Sequence, residues 1–574
     1  MTIGAKILFN SLINHGVKTV FGYPGGAILP VLNEFHEQNK IKYIMSRTEL
    51  GGSFMAEGYS KITGKPGVIM VTSGPGALNT ITSLQNALSD GTPTMVLSGQ
   101  VATTVLGTDA FQEADVINIS KNCTKWNNQI TNGNLISQTV DNAFTQMLNQ
   151  RYGPVLLDLP KNIMSTNYNE QIKTNFSIKN EKRSTITVSE ITDLILKSKK
   201  PVILAGQGIF QNNSVELLRK IANSYNIPVT TTLMGLGVFD EKNPLSLKML
   251  GMHGSFAANK AVQNCDLLLN FGSRFDDRII GDPSKFAPKA KIVHVDILYK
   301  NINKTIKTKN YINDDCKNVL RDMTKNKRFP YLFCNKSFND WHLEINNWKK
   351  TGFSYPEVPL VLQGRHVIAT LNKIIHLNTI NNFTIVADVG AHQMWAAQFI
   401  DYNYPKIKFI TSGGLGSMGF ALPASIGAKI GKPTEKVICI CGDGGFTMSM
   451  TEILTAVDNK INIKVLIINN SYQLMVKMWQ EKFYNGNIIG TKMNNPSFEK
   501  VCESLGCHAI RITHNDDLEK CLEYILSYED GPIVANIITS ENEPVLPMVC
   551  PGKAIDEMIL DENNHEQIKG DAPC

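Results

Sequence analysis

Two short segments carry residue types suited to holding a metal ion beside a phosphorylated ligand. The apolar run Val437-Ile-Cys-Ile-Cys441 breaks into Gly442-Asp-Gly-Gly445, and a second run, Val465-Leu-Ile-Ile468, ends on Asn469 and Asn470. A hard dication such as Mg²⁺ prefers oxygen ligands in an octahedral array and keeps positions open for phosphate oxygens. The Asp443 carboxylate, the Asn470 amide and a nearby carbonyl would meet that demand. Glycines at 442, 444 and 445 would let a diphosphate approach the backbone at the start of a helix. Taken singly, the first segment is also an ordinary turn and the second a capped loop.

These residues must be positioned by strand ends. Short β-rich runs alternate with helical patterns along the whole chain, which signals parallel sheets covered by helices. The first third holds Thr19-Val-Phe21, Val68–Thr72, Thr94–Ser98 and Val155–Asp158. A second series holds Pro201–Ala205, Pro228–Thr232, Asp266–Asn270 and Lys291–Val295, and a third holds Thr384–Asp388, Lys408–Ser412, Val437–Cys441, Val465–Asn469 and Pro532–Asn536. The fold class is therefore α/β, with three doubly wound parallel-sheet domains over residues 1–168, 185–325 and 355–574. The polar stretch from Tyr168 to Ser184 reads as a linker, and Thr447–Asp458 as the crossover helix between the two segments above. Val71-Thr-Ser-Gly-Pro-Gly76 resembles Ile410-Thr-Ser-Gly-Gly-Leu-Gly416, which raises a distant duplication of the first domain in the third.

Composition agrees with a multidomain globular chain. The 574 residues are 43% hydrophobic and 19% charged, which excludes a disordered or fibrous protein. The net charge of +6 is scattered, and the densest basic group, Lys325, Lys327 and Arg328, reads as a solvated linker, so no nucleic-acid partner is expected. The 11 cysteines include no C-x-x-C pair and fit a reducing compartment. Met1-Thr-Ile-Gly-Ala5 enters a helical pattern at once, which leaves no room for a targeting peptide. No apolar run approaches the length of a membrane span. A cytoplasmic protein is expected, or a stromal one if an organelle encodes it.

Gly442-Asp-Gly444, 24 residues from 445 to 468, then Asn469-Asn470 resembles the thiamin diphosphate signature. A competing pattern, Gly414-x-Gly416-x-x-Gly419, follows a strand and precedes a helix as a nicotinamide dinucleotide fingerprint would. With thiamin diphosphate, the first domain should contribute a carboxylate to the aminopyrimidine ring. Glu49, between Ile44-Met45 and Leu50, is the candidate, since an acid in apolar surroundings shares a proton readily. A helix-entry glutamate at the surface is the other reading.

Nearly the whole chain resembles the acetolactate synthase (acetohydroxyacid synthase) catalytic-subunit family. The resemblance rests on Phe21-Gly-Tyr-Pro-Gly-Gly-Ala-Ile-Leu-Pro30, Gly107–Asp115, Gly251-Met-His-Gly254, Arg274-Phe-Asp-Asp-Arg278, His392–Ala397 and Pro544–Val549. It implies three cofactors, thiamin diphosphate, Mg²⁺ and FAD, the last without a net redox role. It implies an active site between two subunits of a homo-oligomer, with a regulatory small subunit as a candidate partner. The implied reaction decarboxylates pyruvate and joins the two-carbon unit to a second pyruvate or to 2-oxobutyrate, for branched-chain amino acid synthesis.

Carried over position by position, Glu49 resembles the residue that activates the cofactor, while Asp443, Asn470 and the Tyr472 carbonyl resemble the Mg²⁺ ligands. Val389, Gly390, His392, Gly416 and Met418 resemble thiamin diphosphate contacts, with Met448 and Met475 as an apolar wall, although either Met is equally a core residue. Thr232, Leu233, Met252, His253, Arg274, Asp276, Arg278, Asp296 and Asp315 resemble flavin contacts. Arg278 also resembles the group that receives the second keto acid's carboxylate, and Trp479 the side chain that favours 2-oxobutyrate. Gln112, Phe111 and Lys161 resemble further positions lining that site. Four residues depart from the family pattern: Thr48 for His, Leu50 for Gln, Ala391 for Gln and Leu474 for Gly. The alternatives are a catalytically altered thiamin diphosphate carboligase or decarboxylase of the same family, or the non-catalytic homologue that those departures suggest.

Overall fold

The computed structural model describes residues 1–169, 182–325, 338–351, 361–378 and 380–560. Most of the expected linker after Tyr168 and the basic residues Lys327 and Arg328 lie outside them.

Three six-stranded sheets organise the described residues. The first holds β1 (Thr19–Gly22), β2 (Lys42–Met45), β3 (Gly67–Val71), β4 (Thr94–Gln100), β5 (Trp126–Gln129) and β6 (Val155–Pro160) in the spatial order β2-β1-β3-β4-β6-β5. The second holds β7 (Pro201–Ala205), β8 (Val229–Thr231), β9 (Ser246–Met249), β10 (Leu267–Phe271), β11 (Lys291–Val295) and β12 (Asn310–Ile312) in the order β9-β8-β7-β10-β11-β12. The third holds β13 (Phe383–Ala387), β14 (Ile407–Thr411), β15 (Lys436–Gly442), β16 (Ile463–Asn469), β17 (His508–Ile512) and β18 (Ile533–Ile538) in the order β14-β13-β15-β16-β18-β17. Every neighbouring pair in these sheets is parallel. Their central strands are apolar on both faces, as in β15, where Val437 to Cys441 are fully buried.

The first and third sheets are wound identically, whereas the second follows the order of a dinucleotide-binding sheet. The shared winding supports a duplication but corrects which turns correspond. Val71–Gly76 follows the third strand of its domain, and its counterpart is Gly442–Gly445 after β15 rather than Ile410–Gly416. The Ile410–Gly416 turn follows a second strand, so it corresponds to the stretch after β2 that contains Glu49.

The helices that follow these second strands, Glu49–Thr63 and Ala421–Gly431, pack against each other and join the two domains. Their crossing is reciprocal. A Cβ on Gly58 would lie 2.0 Å from the Ala424 carbonyl oxygen, and one on Gly427 would lie 1.8 Å from that of Met55. Only glycine at both positions permits this approach. Phe54 meets Phe420 edge-on at 5.3 Å beside the crossing, and one apolar cluster runs from Phe21 and Ile44 through Phe54 and Phe420 to Val437 and Val465. The buried Lys61–Asp90 pair (2.5 Å) is tied to the third domain through the Thr411 carbonyl, which accepts from Lys61 Nζ at 2.9 Å. Separating such a buried pair by removing one partner costs on the order of 3–5 kcal/mol.

The crossover between β15 and β16 departs from a single helix over Thr447–Asp458. It begins at Asp443 itself (Asp443–Ser449), tightens into a 3₁₀ turn (Met450–Glu452) and resumes over Ile453–Asp458. Residues Pro544 to Ile559 return to the second domain, where Val549 N donates to Met252 O (2.9 Å) and Lys260 pairs with Asp556 (3.0 Å).

Candidate functional site

In the third domain the strand order reverses between β13 and β15, and the crevice outside their carboxyl ends is where such sheets bind ligands. Because β15 and β16 are paired, with Gly442 opposite Ile468, Asp443 and Asn470 emerge side by side. Both line one cavity of about 230 Å³, together with Tyr472 and Met418. Asp443 is 3% exposed; its carboxylate accepts from Gly444 N (3.0 Å) and Asn495 Nδ2 (2.7 Å). Burial raises its pKa, against those donated bonds. Asn470 Oδ1 accepts from Tyr472 N (3.0 Å), which fixes the turn that presents the amide.

The walls of this cavity are bare backbone where a diphosphate would need them bare. Cβ atoms on Gly390 and Gly442 would sit 2.9 and 3.0 Å from His392 Cε1, one on Gly444 would sit 2.2 Å from Gln473 Nε2, and one on Gly445 2.8 Å from Asp388 Oδ2. Val389, Gly390, His392 and all three motif glycines line the cavity. His392 Nε2 is buried and has no hydrogen-bond partner among the described residues, and burial lowers the imidazole pKa to about 4, leaving it neutral. Gly416 lies in an adjoining cavity against the second domain instead, while Met448 is 64% exposed and lines neither.

Two residues here were not singled out from sequence. Asp388, at the end of β13, is fully buried and accepts from Val389 N (2.7 Å) and Gly419 N (3.0 Å), clamping the 416–419 loop against the Asp443 turn. Burial pushes its carboxyl up to about 6. Asn495 bridges Asp443 to Asn469 Oδ1 (3.0 Å). The 413–419 loop also disposes of the nicotinamide fingerprint. Gly413 N (3.2 Å) and Gly414 N (2.7 Å) donate to Asp90, and Gly419 N donates to Asp388, so these amides are committed within the chain.

The second domain reverses its strand order between β7 and β10, and a cavity of about 350 Å³ lies at that point. Gly206 and Gly208 after β7 pack on Gly272 after β10, where Cβ atoms would come within 2.3 and 2.9 Å of backbone. Thr232, Leu233, Met252, His253, Arg274, Asp276, Arg278 and Asp296 line the cavity. Asp315 does not; it accepts from Lys317 N (2.7 Å) at the start of helix Cys316–Lys325, beside the lining residue Cys316. His253 is held by the Pro547 carbonyl (3.2 Å), and its other ring nitrogen is buried with no partner among the described residues. Burial lowers its pKa to about 4. Burial also pushes the Asp296 carboxyl up to about 6. Sequence reading missed Arg151 from the first domain, which lines the same cavity and donates to Leu88 O and Ser89 O. Burial and the like charge of Arg274 lower its pKa to about 10, and with Arg274 and Arg278 three guanidinium groups border one cavity, a setting for an anionic ligand.

Arg278 lines both of these cavities and a third, of about 650 Å³, which also holds Met475 and Trp479. Trp479 is half-buried and tilted against Phe483 at 5.1 Å on helix Leu474–Phe483. Lys477 fixes that helix by donating to Glu541 O (2.8 Å) and Asn542 Oδ1 (2.6 Å).

Glu49, Gln112, Phe111 and Lys161 are gathered elsewhere, outside the carboxyl ends of the first sheet. Glu49 opens its helix behind the N-cap Thr48, is half-buried, and accepts from Asn79 Nδ2 (3.0 Å). Its other oxygen lies 3.4 Å from where a Cβ on Gly76 would be. Gln112 adopts φ 59° and lays its carbonyl against Gly74; Phe111 beside it is 88% exposed, and Lys161 is exposed after β6. None of the four lines the 230 Å³ cavity that holds Asp443. The expected apolar pocket around Glu49 is absent from the single chain, because Met45 turns outward (40% exposed) and Leu50 packs back into the interdomain core.

Three family models match in sequence: the N-terminal TPP binding domain of thiamine pyrophosphate enzymes over residues 2–119, the central domain over 188–323 and the C-terminal TPP binding domain over 388–537. The chain is 41% identical to the acetolactate synthase catalytic subunit, mitochondrial, of Saccharomyces cerevisiae, over 97% of this chain and 83% of that one. It is 38% identical to the acetolactate synthase large subunits of Lactococcus lactis, over 98% and 97%, and of Corynebacterium glutamicum, over 96% and 89%. The chain belongs to the acetolactate synthase family of thiamine pyrophosphate enzymes.

Within that family the four departures acquire physical accounts. Thr48 accepts from Gly51 N (2.9 Å) as a helix cap. Leu50 joins the interdomain apolar cluster, and Leu474, packed in the cluster containing Met394 and Trp395, also lines the Asp443 cavity. Ala391 leaves a methyl group on the wall of the Asp443 cavity. Among the described residues no helix is long and apolar enough to cross a membrane.

Proposed function

We propose that this chain catalyses acetolactate formation, decarboxylating pyruvate and joining the two-carbon unit to a second pyruvate or to 2-oxobutyrate. The observation that carries the reading is the convergence of the Asp443 carboxylate and the Asn470 amide on one glycine-walled cavity at a strand-order reversal. Asp443, Asn470 and the Tyr472 carbonyl would hold Mg²⁺, and the backbone of Gly442, Gly444 and Gly445 would face the diphosphate. Thiamin diphosphate, when bound, supplies the electron sink for decarboxylation and carbon–carbon bond formation.

The chain's own residues do the rest. Neutral His392 offers a ring nitrogen to the cofactor cavity, and Glu49 is the carboxylate that would serve the aminopyrimidine of the bound cofactor by proton exchange. FAD would occupy the second-domain cavity, where Arg151, Arg274 and Arg278 would supply positive charge for its phosphates. Arg278, which borders all three cavities, receives the carboxylate of the second keto acid by its guanidinium fork, with Trp479 and Met475 on the same approach.

Since Glu49 does not line the cavity that holds Asp443, the centre would be completed by a second copy, which would also cover exposed apolar side chains such as Phe111 (88%) and Met448 (64%). The domain bounds 1–168, 185–325 and 355–574 follow from the same reading.

The test supplies pyruvate with thiamin diphosphate, Mg²⁺ and FAD, then converts product to acetoin in acid. Acetolactate should appear and should vanish when thiamin diphosphate or Mg²⁺ is omitted. Protein that retains the cofactors yet yields no acetolactate would sink the proposal.

A further inference from the structure

We propose that Glu452 is a positioning residue for Glu49, holding from the third domain the backbone that presents the first domain's carboxylate. The inference rests on the role proposed for Glu49.

Glu452 ends the 3₁₀ turn that interrupts the crossover after Asp443, and its side chain is fully buried. Its carboxylate is spent on the other domain. It accepts from Arg47 N (3.0 and 3.2 Å), Thr48 N (3.0 Å) and Thr48 Oγ1 (3.1 Å), and within its own segment from Thr455 Oγ1 (2.8 Å). A Cβ on Gly51 would lie 2.0 Å from Glu452 Oε1, so glycine at 51 is what admits the carboxylate to the helix start. Thr48 Oγ1 completes the clasp by donating to Glu452 while accepting from Gly51 N.

A carboxylate at this end of a helix also meets the positive pole of the helix dipole and satisfies amides that the helix leaves without partners. Residues 47, 48 and 51 are thereby fixed on both sides of Glu49, whose side chain is then free to reach Asn79. The interruption of the crossover has a physical reason in this reading: a continuous helix would not turn Glu452 into the interface. It also explains why Thr48 serves at a position where the family has His, since a hydroxyl both donates and accepts within the clasp.

The test uses the full-length enzyme with its three cofactors. Glu452→Gln places an amide NH₂ among donors, and should lower kcat about 10- to 100-fold, the scale of a small misplacement of a reacting group, with KM for pyruvate within about twofold. The acidic limb of the pH–rate profile should move with it. In cofactor-free protein, hydrogen exchange at the Arg47 and Thr48 amides should quicken at least about tenfold while that of helix Ala421–Gly431 stays unchanged. Thr48→Val, which removes the bridging hydroxyl and keeps the shape, should give the same changes in smaller measure. Glu452→Asp should recover part of the rate lost in Glu452→Gln.

Wild-type kcat and pH profile in folded Glu452→Gln would overturn the proposal. If that variant fails to fold, unchanged kcat in Thr48→Val overturns it instead. Glu49→Gln separates the two readings: full rate in Glu49→Gln removes the role of Glu49 itself, whereas loss there with full rate in Glu452→Gln removes only the positioning role.

Discussion

The first and third domains share one winding and put different chemistry at corresponding strand ends. In the third domain the loops close on one another: Asp388 clamps the 416–419 loop, Asn495 bridges Asp443 to Asn469, and the motif glycines are backed by His392 and Gln473. In the first, the equivalent end stays open, with Glu49 half-buried, Gln112 at a positive φ, and Phe111 and Lys161 exposed. One scaffold thus yields a finished socket and an unfinished cover. The comparison teaches that the winding dictates where a ligand goes, while the polar side chains beneath the loops decide whether the place is complete within one chain.

The division of labour fails first at Glu49. Glu49→Gln should lower kcat about 10²- to 10⁴-fold, the usual worth of a proton-transfer group, measured as acetolactate formed per unit time. Full activity would mean the open domain contributes shape alone. The shared winding is tested at the glycine crossing. Gly58→Leu and Gly427→Leu should each cost at least about 3 kcal/mol in urea unfolding, and by similar amounts, because the crossing is reciprocal. Unequal losses would mean that only one helix depends on the close approach.

The finished socket is tested at Asn495, where alanine should weaken Mg²⁺ about 10- to 100-fold in a metal titration. Asn79→Ala, which removes the amide partner of Glu49, should leave Mg²⁺ affinity unchanged. The smallest effect concerns Glu57, buried at the seam between the domains and bonded to Ser83 and Asn86 at 2.8 Å each. Burial pushes its carboxyl from the ordinary 4.5 up to about 8. The folded state therefore holds this proton more tightly than the unfolded chain does. Its stabilising contribution is full below about 4.5 and is lost as pH rises through about 8. Glu57→Gln should flatten the fall of stability across that window by about 1 kcal/mol per pH unit or less, read from melting curves at stepped pH.

Sequence reading located central strands well, because residues such as Val437 to Cys441 are buried on both faces and stay apolar without a break. It missed β2, β5, β9, β12 and β17, all at sheet edges, where a strand has one neighbour and a half-solvated face: β2 carries exposed Lys42 and Met45, and β5 reads Trp-Asn-Asn-Gln. The metal candidates were legible because their spacing reports strand, crossover, strand. Asp388 and Asn495 were not, since each acts through bonds to distant segments and looks like a turn residue in isolation. Arg151 escaped for a similar reason, being a first-domain residue in a second-domain cavity. The two Ser-Gly turns misled because composition matched where topology did not.

The reciprocal crossing also constrains how the molecule is made. Phe54, Met55 and Ala56 on helix Glu49–Thr63 are fully covered only when Phe420, Ala421 and Ala424 arrive from the far end of the chain. At ordinary ribosomal speed that wait is on the order of tens of seconds, during which the amino-terminal domain is left sticky on one side. The second domain, emerging in the interval with its own apolar interior, can settle before its neighbours join. A nascent chain halted before residue 421 should therefore bind a chaperone that the released protein ignores.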